Sequence, residues 1–333
     1  MRERARKAVE TRNARHHQVG AVSLSCRCGY NPAGPEMSMP VRHAGAVGGT
    51  FVVAPASSTS SASSLTRGRT VRAIWTAAIC ACIACAACGL RSAQIAQDRF
   101  FDSDGIRVRY QVSGQGTPVV LIHGFGETLE RWQTAGVVRA LTPHFQVIAM
   151  DVRGHGQSSK PHDPEAYGPA LAGDVVRLLH HVGATKAHIV GYSMGALVAL
   201  DLGTQHQESV VSIVLGGAGW IAPEVLNDFS QQADAYQRGR IPLHDGDDPK
   251  AFAALLRSFR ALSADDLRRI TIPMAALIGA NDAFMSDVRR LAGVLPAVQV
   301  VVIPGANHAT ALDHPAFAAG LLAFLQQRAG TGR

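Results

Sequence analysis

The chain has 333 residues, of which 47% are hydrophobic, enough for a packed core in one large domain or two ordinary domains. Its formal net charge of +7 comes from the beginning of the chain, because residues 1–72 carry eleven Lys/Arg and three Asp/Glu, whereas the remainder carries twenty-one and twenty-two. The nearly neutral remainder excludes a basic face for a polyanion, so no nucleic-acid partner is expected.

The first 66 residues lack sustained hydrophobic periodicity and contain the run SSTSSASS. This composition is typical of a disordered segment. A second interpretation is that residues 1–66 belong to an over-long reading frame, in which case translation starts near Val71 or at an upstream methionine.

Residues 67–90 show the order of parts found in an export signal. A basic stretch ends at Arg72, an apolar run occupies residues 73–87, and small residues lead to Cys88. The end, CAACG, resembles a bacterial lipoprotein signal with Cys88 as the lipidated residue, although Cys85 stands where an aliphatic residue is usual. An uncleaved anchor is the alternative, because about 18 apolar residues are just long enough to span a membrane. We expect an exported protein that is periplasmic or associated with the membrane through this segment.

All six cysteines lie before residue 89. The rest of the sequence therefore lacks a cysteine nucleophile, a disulfide and a thiolate metal site. It also lacks a recognisable metal-binding or nucleotide-binding motif, so we expect neither a metal nor another cofactor.

From Arg99 onward, short apolar runs alternate with helical patterns. The stretch RFFDSDGIRVRYQVSG predicts a hairpin that turns at Asp104 and Gly105. Further runs predict strands at PVVLIHG, FQVIAMD, KAHIVGYS, VVSIVLGG, MAALIGAND and VQVVVIPG. Helical patterns fall near residues 129–140, 167–181, 194–206, 286–292 and 315–327. Continuous Val/Ile runs between amphipathic helices indicate an α/β fold with a mostly parallel central sheet and helices on both faces.

Ser193 stands where one of these strands changes into a helix. In HIVGYSMGALVAL, the apolar run before the serine has strand character, whereas the apolar residues after it recur at helical spacing. Gly191 and Gly195 flank the serine, and a turn this sharp needs residues without Cβ on both sides. The pattern G-x-S-x-G predicts a nucleophile elbow that exposes the hydroxyl of Ser193 above the sheet.

A serine nucleophile needs a base and a group that orients the base. His308 follows the last predicted strand and is the candidate base, with His314 as the rival position. Asp282 ends the preceding strand and is the candidate acid, although its position also suits the cap of a helix starting near Ser286. The chain order is Ser, Asp, His.

Residues 99–328 resemble the α/β-hydrolase fold superfamily, in its serine-nucleophile, esterase-like branch. The motifs that carry the resemblance are HGFGET at 123–128, DVRGHGQSS at 151–159, GYSMG at 191–195, GAND at 279–282 and GANH at 305–308. The resemblance implies that the backbone N–H groups of Phe125 and Met194 form the oxyanion hole. We interpret Asp151, His123 and His155 as residues that pack the loops.

Residues 221–270 interrupt the alternation where related enzymes carry a helical cap, so a small cap is predicted there. Asp248 suits the N-cap of a helix and Pro249 its first position. One helical stripe is formed by Phe252, Leu255, Leu256 and Phe259. The substrate-binding candidates are Trp220, Phe252 and Phe259; the alternative is a packed helical pair with no role in a pocket.

Together these residues predict a serine hydrolase that cleaves carboxylic esters of small neutral substrates through an acyl-enzyme. A serine rather than an aspartate at the elbow argues against dehalogenase and epoxide hydrolase chemistry, which uses a carboxylate in this superfamily. Hydrolysis of a lactone, an amide or a carbon–carbon bond, and perhydrolysis, are compatible with the same three residues. The non-catalytic alternatives are a binding module that keeps the fold without turnover and a membrane-tethered scaffold.

Overall fold

The computed structural model of the chain describes residues 96–329. The predictions for residues 1–66 and for the export signal at residues 67–90 lie outside the described residues. Within residues 96–329, no helix combines the length and the apolar character that crossing a membrane requires.

The described region contains a single eight-stranded sheet. Its strands are β1 (Arg99–Ser103), β2 (Ile106–Ser113), β3 (Pro118–Ile122), β4 (Gln146–Met150), β5 (Ala187–Tyr192), β6 (Val210–Gly216), β7 (Met274–Gly279) and β8 (Gln299–Ile303). The order in the sheet is β1-β2-β4-β3-β5-β6-β7-β8. β2 pairs antiparallel with β1 and β4, and the other neighbouring strands pair in parallel. The predicted α/β class is confirmed, as is the hairpin, whose turn residues Asp104 and Gly105 have φ of 53° and 79°.

Helices cover both faces of this sheet. In the described region they are α1 (Glu130–Thr134), α2 (Val137–Leu141), α3 (Pro169–His181), α4 (Met194–Gln205), α5 (Val225–Gln237), α6 (Pro249–Ser258), α7 (Ala264–Arg268), α8 (Met285–Val294) and α9 (Pro315–Ala329). Along β3, Val120 and Ile122 belong to a core shared with α3 and α4, whereas Val119 and Leu121 belong to a core shared with α2 and α9. Because side chains alternate along a strand, a run of apolar residues buries both faces of the sheet.

Two helical predictions differ from the structure. The pattern at 129–140 is wrong as one helix, because it divides into α1 and α2 at Gly136, whose φ of 74° cannot continue a right-handed helix. The helical stripe predicted to include Phe259 is shorter than expected, since α6 stops at Ser258 and the next residue, Phe259, is extended with φ −67° and ψ 141°.

The helical cap consists of α5, α6 and α7, which lie between β6 and β7 in the chain. As predicted, Asp248 caps α6, because its carboxylate accepts the N–H groups of Lys250 and Ala251 at 2.9 and 3.1 Å. The contact between α5 and α6 is formed by Ala233, Tyr236, Phe252, Ala253 and Leu256. Phe125, in the loop after β3, packs against this cluster and so joins the cap to that loop.

Candidate active site

Ser193 lies at the sharp turn between β5 and α4, as the G-x-S-x-G pattern predicts. It is one of two non-glycine residues in the described region with positive φ, at 51°, which marks local strain at a functional position. A side chain at Gly191 would collide with the carbonyl of Gly195, and one at Gly195 would collide with the carbonyl of Ile122. The two glycines therefore let the strand and the helix approach closely enough to form the elbow.

His308 contacts both Ser193 and Asp282. Its Nε2 lies 3.0 Å from Oγ of Ser193, and its Nδ1 lies 3.1 Å from Oδ2 of Asp282. The three residues come from the loops after β5, β7 and β8, which share the carboxyl edge of the sheet. The structure thus brings together the three residues that the sequence proposed as nucleophile, base and acid.

The partners of His308 decide which of its nitrogens carries the proton. An ionised carboxylate only accepts hydrogen bonds, so Nδ1–H donates to Asp282 and the unprotonated Nε2 accepts from the hydroxyl of Ser193. The side chain of Asp282 is fully buried, whereas that of His308 is 28% exposed. A buried carboxylate therefore holds a partly accessible imidazole in the tautomer that a general base requires.

Asp282 serves two partners at once. Its Oδ1 accepts the N–H of Phe284 at 3.0 Å, close to the start of α8, while Oδ2 faces His308. The alternative interpretation, that Asp282 caps this helix, is wrong, because the cap position of α8 is Phe284 and no side chain caps it; Oδ1 instead closes the turn before the helix. His314, the rival base, instead accepts the N–H of Ala316 at 3.2 Å in the first turn of α9.

The predicted oxyanion donors flank Ser193. Met194 is the first residue of α4, where helix geometry provides no backbone acceptor for its N–H. On the other side, a Cβ built on Gly124 would lie 3.5 Å from Cβ of Ser193, which places the peptide between Gly124 and Phe125 beside the nucleophile. The structure thus places both segments of main chain beside Ser193, and the oxyanion hole itself stays a prediction.

Two histidines and an aspartate pack the surrounding loops, in line with their predicted role. His123 accepts the N–H of Val152 on Nε2 at 3.0 Å and donates from Nδ1 to the carbonyl of Gly124 at 2.7 Å. Asp151 accepts backbone N–H groups from two loops at 2.8 Å. His155 is fully buried, and this burial holds its pKa well below the usual value. All three side chains are buried supports of the loops around Ser193.

Tyr192 contributes a contact that the sequence did not reveal. Its hydroxyl donates to the backbone carbonyl of His308, and the two rings lie 5.5 Å apart. Burial raises the pKa of the Tyr192 phenol, so the group stays a neutral donor. The residue directly before the nucleophile therefore holds the backbone of the candidate base, through a contact between positions 116 residues apart.

The three substrate-binding candidates have different positions. Trp220 and Phe259 line a mostly apolar cavity together with Leu197, but the lining does not include Ser193, Asp282 or His308. Phe252 lies outside this lining and is only 1% exposed, because its ring packs 4.8 Å from the ring of Phe125. Phe252 therefore anchors the cap, and the cavity wall is formed by Trp220 and Phe259.

Comparisons with known proteins agree with this fold. A family model described as alpha/beta hydrolase fold matches residues 117–265. The described region has the α/β-hydrolase fold. Within the part of this hydrolase that the structure describes, no group of three or more His, Cys, Asp or Glu side chains is placed to hold a metal ion.

The chain matches two curated relatives over nearly their whole length. One is the 2-hydroxy-6-oxo-6-(2'-aminophenyl)hexa-2,4-dienoic acid hydrolase of Metapseudomonas resinovorans, 27% identical over 274 residues, or 71% of this chain and 93% of the relative. The other is the pimeloyl-[acyl-carrier protein] methyl ester esterase of Pectobacterium carotovorum subsp. carotovorum, 28% identical over 259 residues, or 65% and 98%. The family and the names of these relatives support hydrolase activity.

Solved structures show the same architecture. A thermophilic esterase from Thermogutta terrifontis matches with a TM-score of 0.61 and 24% identity, covering 70% of this chain and 99% of that chain. At this level of identity the likeness concerns the fold.

Proposed function

We propose that this hydrolase cleaves carboxylic esters of small neutral substrates through an acyl-enzyme. The observation that carries the proposal is the pair of contacts made by His308, 3.0 Å to the Ser193 hydroxyl and 3.1 Å to the Asp282 carboxylate. A hydroxyl, a base and an orienting carboxylate in this sequence of contacts are the parts that acyl transfer requires.

The reaction proceeds in two halves. Nε2 of His308 takes the proton of Ser193 as Oγ attacks the ester carbonyl, and the N–H groups of Phe125 and Met194 stabilise the negative oxygen of the tetrahedral intermediate. The imidazolium then gives its proton to the departing alcohol, which leaves an acyl group on Oγ. Water repeats these steps, since it loses a proton to Nε2, attacks the acyl carbon and releases the acid.

The preference for neutral, apolar groups is proposed from an apolar cavity under the cap, whose lining includes Leu197 but not the three candidate catalytic residues. Trp220, Phe259 and Leu197 contribute apolar surface, and each methylene buried there would contribute about 0.8 kcal/mol. Arg260 also lines the cavity, but it is paired with Asp201 at 2.6 Å and so presents little net charge to a substrate. The methyl ester esterase among the relatives further supports ester chemistry.

Ser193→Ala tests the nucleophile, with fluorophosphonate labelling and turnover of p-nitrophenyl esters as the measurements. We expect labelling to disappear and kcat to fall at least ~10³-fold while the fold is retained, and Asp282→Asn should also impair turnover by removing the orienting charge. Across a series of acyl lengths, kcat/KM should rise from acetyl to butyryl or hexanoyl and then fall. Near-normal turnover by Ser193→Ala would refute the assignment, and a preference for charged acyl groups would refute the substrate class.

A second candidate is hydrolysis of a dienoic acid, because the relative from Metapseudomonas resinovorans bears that name and matches over 93% of its length. The same three residues are compatible with that chemistry. Assaying the purified protein on a 2-hydroxy-6-oxo-dienoic acid and on p-nitrophenyl butyrate separates the two candidates, since the proposed esterase should turn over the ester with the larger kcat/KM.

A further inference from the structure

Three charged side chains, Glu127, Arg131 and Asp313, form a continuous bridge beside the candidate active site. Nε of Arg131 donates to Oε1 of Glu127 at 3.1 Å. The two terminal nitrogens of the same guanidinium donate to the two carboxylate oxygens of Asp313 at 2.6 and 3.0 Å. This two-pronged geometry is the strong and directional form of an arginine–carboxylate pair.

One end of the charged bridge holds the loop that carries the proposed oxyanion donor. Oε2 of Glu127 accepts the N–H of Gly124 at 2.9 Å, and the N–H of Glu127 donates to the carbonyl of Gly124 at 3.2 Å. That carbonyl belongs to the same peptide unit as the N–H of Phe125. Glu127 therefore helps to orient this N–H, together with Nδ1 of His123, which donates to the same carbonyl at 2.7 Å.

The other end holds the loop of the candidate base. Asp313 lies five residues after His308, in the segment between β8 and α9. Arg131 is in α1, and its contacts join the loop after β3, which carries Glu127, to the loop after β8, which carries Asp313. Arg131 and Asp313 are 182 residues apart in the sequence. The oxyanion donor and the base are thus connected through one guanidinium.

The charge of Arg131 has a second consequence. A Cβ built on Gly124 would lie 2.7 Å from Oε2 of Glu127 and 3.5 Å from Cβ of Ser193, so the Glu127 carboxylate is close to the nucleophile. An unneutralised carboxylate there would oppose the negative charge that develops on the substrate oxygen. Arg131 offsets part of this charge through the contact that also positions Glu127, since its guanidinium is shared with the more exposed carboxylate of Asp313.

A surface ion pair would be the ordinary interpretation, and such pairs contribute only about 0–1 kcal/mol to stability. The pair between Arg268 and Asp265 is of that kind, with side chains 59% and 81% exposed. Arg131 differs because its side chain is 21% exposed and contacts carboxylates from two loops at the same site. From these contacts we expect Arg131 to position the two loops rather than to add much to the stability of the fold.

We propose that Arg131 is a positioning residue, which aligns the oxyanion loop with the His308 loop and offsets part of the Glu127 charge beside the reacting oxygen. This inference rests on the proposed function. Since the negative oxygen is absent from the bound ester and develops only when Ser193 attacks, loss of Arg131 should lower kcat and leave KM nearly unchanged.

The test compares Arg131→Gln, Arg131→Lys and the double variant Glu127→Gln/Arg131→Gln on p-nitrophenyl butyrate. Arg131→Gln should lower kcat about tenfold with KM within about twofold, because small misplacements of a catalytic group are costly. Removing the Glu127 charge in the double variant should restore kcat at least threefold over Arg131→Gln. Arg131→Lys should fall between Arg131→Gln and wild type, since it keeps the charge but loses the planar two-pronged contact.

The matched control is Arg268→Gln, which removes an exposed ion pair of similar length and should keep wild-type kcat. Wild-type kcat in Arg131→Gln, or a double variant no faster than Arg131→Gln, would overturn the inference while leaving the proposed function intact. If all variants unfold at the same urea midpoint, a change in kcat is not caused by loss of the fold. Absence of ester turnover and of fluorophosphonate labelling in the wild-type protein would instead refute the proposed function.

Discussion

His188 makes the stability of this protein depend on pH, and the effect can be calculated from its surroundings. The side chain lies in β5 with no exposed surface, its Nδ1 is 2.7 Å from the hydroxyl of Ser212, and the ring of Phe145 is 5.8 Å away. Its Nε2 has no hydrogen-bonding partner among the described residues. Burial lowers the pKa of His188 to about 4, because the charged imidazolium would lose its hydration.

The sign follows from comparing the folded and unfolded chains. An unfolded histidine titrates near 6.5, so between that pH and about 4 the unfolded chain binds a proton that the folded chain excludes. The contribution of the neutral His188 to the free energy of unfolding is fully present above pH 6.5. It is lost as the pH falls from 6.5 towards 4. At 1.36 kcal/mol per pKa unit, the loss reaches about 3 kcal/mol.

Urea unfolding of the wild type and of His188→Leu measures this contribution. Between about pH 7.5 and about pH 4.5, the wild type should lose about 2–3 kcal/mol more unfolding free energy than the variant. Ser212→Ala, which keeps the imidazole, serves as the control and should retain the pH dependence of the wild type. Equal losses in the wild type and His188→Leu would refute the reasoning.

Three further predictions concern other parts of the chain. Tyr192→Phe should lower kcat roughly two- to tenfold with KM unchanged, because it removes a hydrogen bond to the His308 carbonyl of about 0.5–1.5 kcal/mol; unchanged kcat in steady-state assays would contradict this. Phe252→Ala should reduce the unfolding free energy by about 3–5 kcal/mol, since the ring is fully enclosed, and a urea midpoint equal to wild type would contradict it. We also propose export, with residues before about 88 removed and Cys88 as the lipidated residue; intact-mass measurement of membrane and soluble fractions checks this, and a product that retains residues 1–66 would disprove it.

The candidate catalytic residues could be predicted from the sequence because their placement depends on a simple property of parallel sheets. Ser193, Asp282 and His308 each follow a predicted strand, and the carboxyl ends of parallel strands meet at one edge. Gly136 shows where such reasoning stops. Its neighbours have helical spacing, yet the left-handed backbone at Gly136 divides the segment into two helices.

The sequence by itself determined the elements and the elbow of this protein, because strand and helix periodicity and the pair of glycines around Ser193 act over a few residues. Only the tertiary structure decided which distant side chains contact the loops of the site. Tyr192 reaches His308 across 116 residues and Arg131 reaches Asp313 across 182, and neither distance leaves a periodic signal in the sequence. Phe252 was likewise indistinguishable from a pocket residue until packing against Phe125 buried it, since burial depends on what the rest of the chain places opposite a side chain.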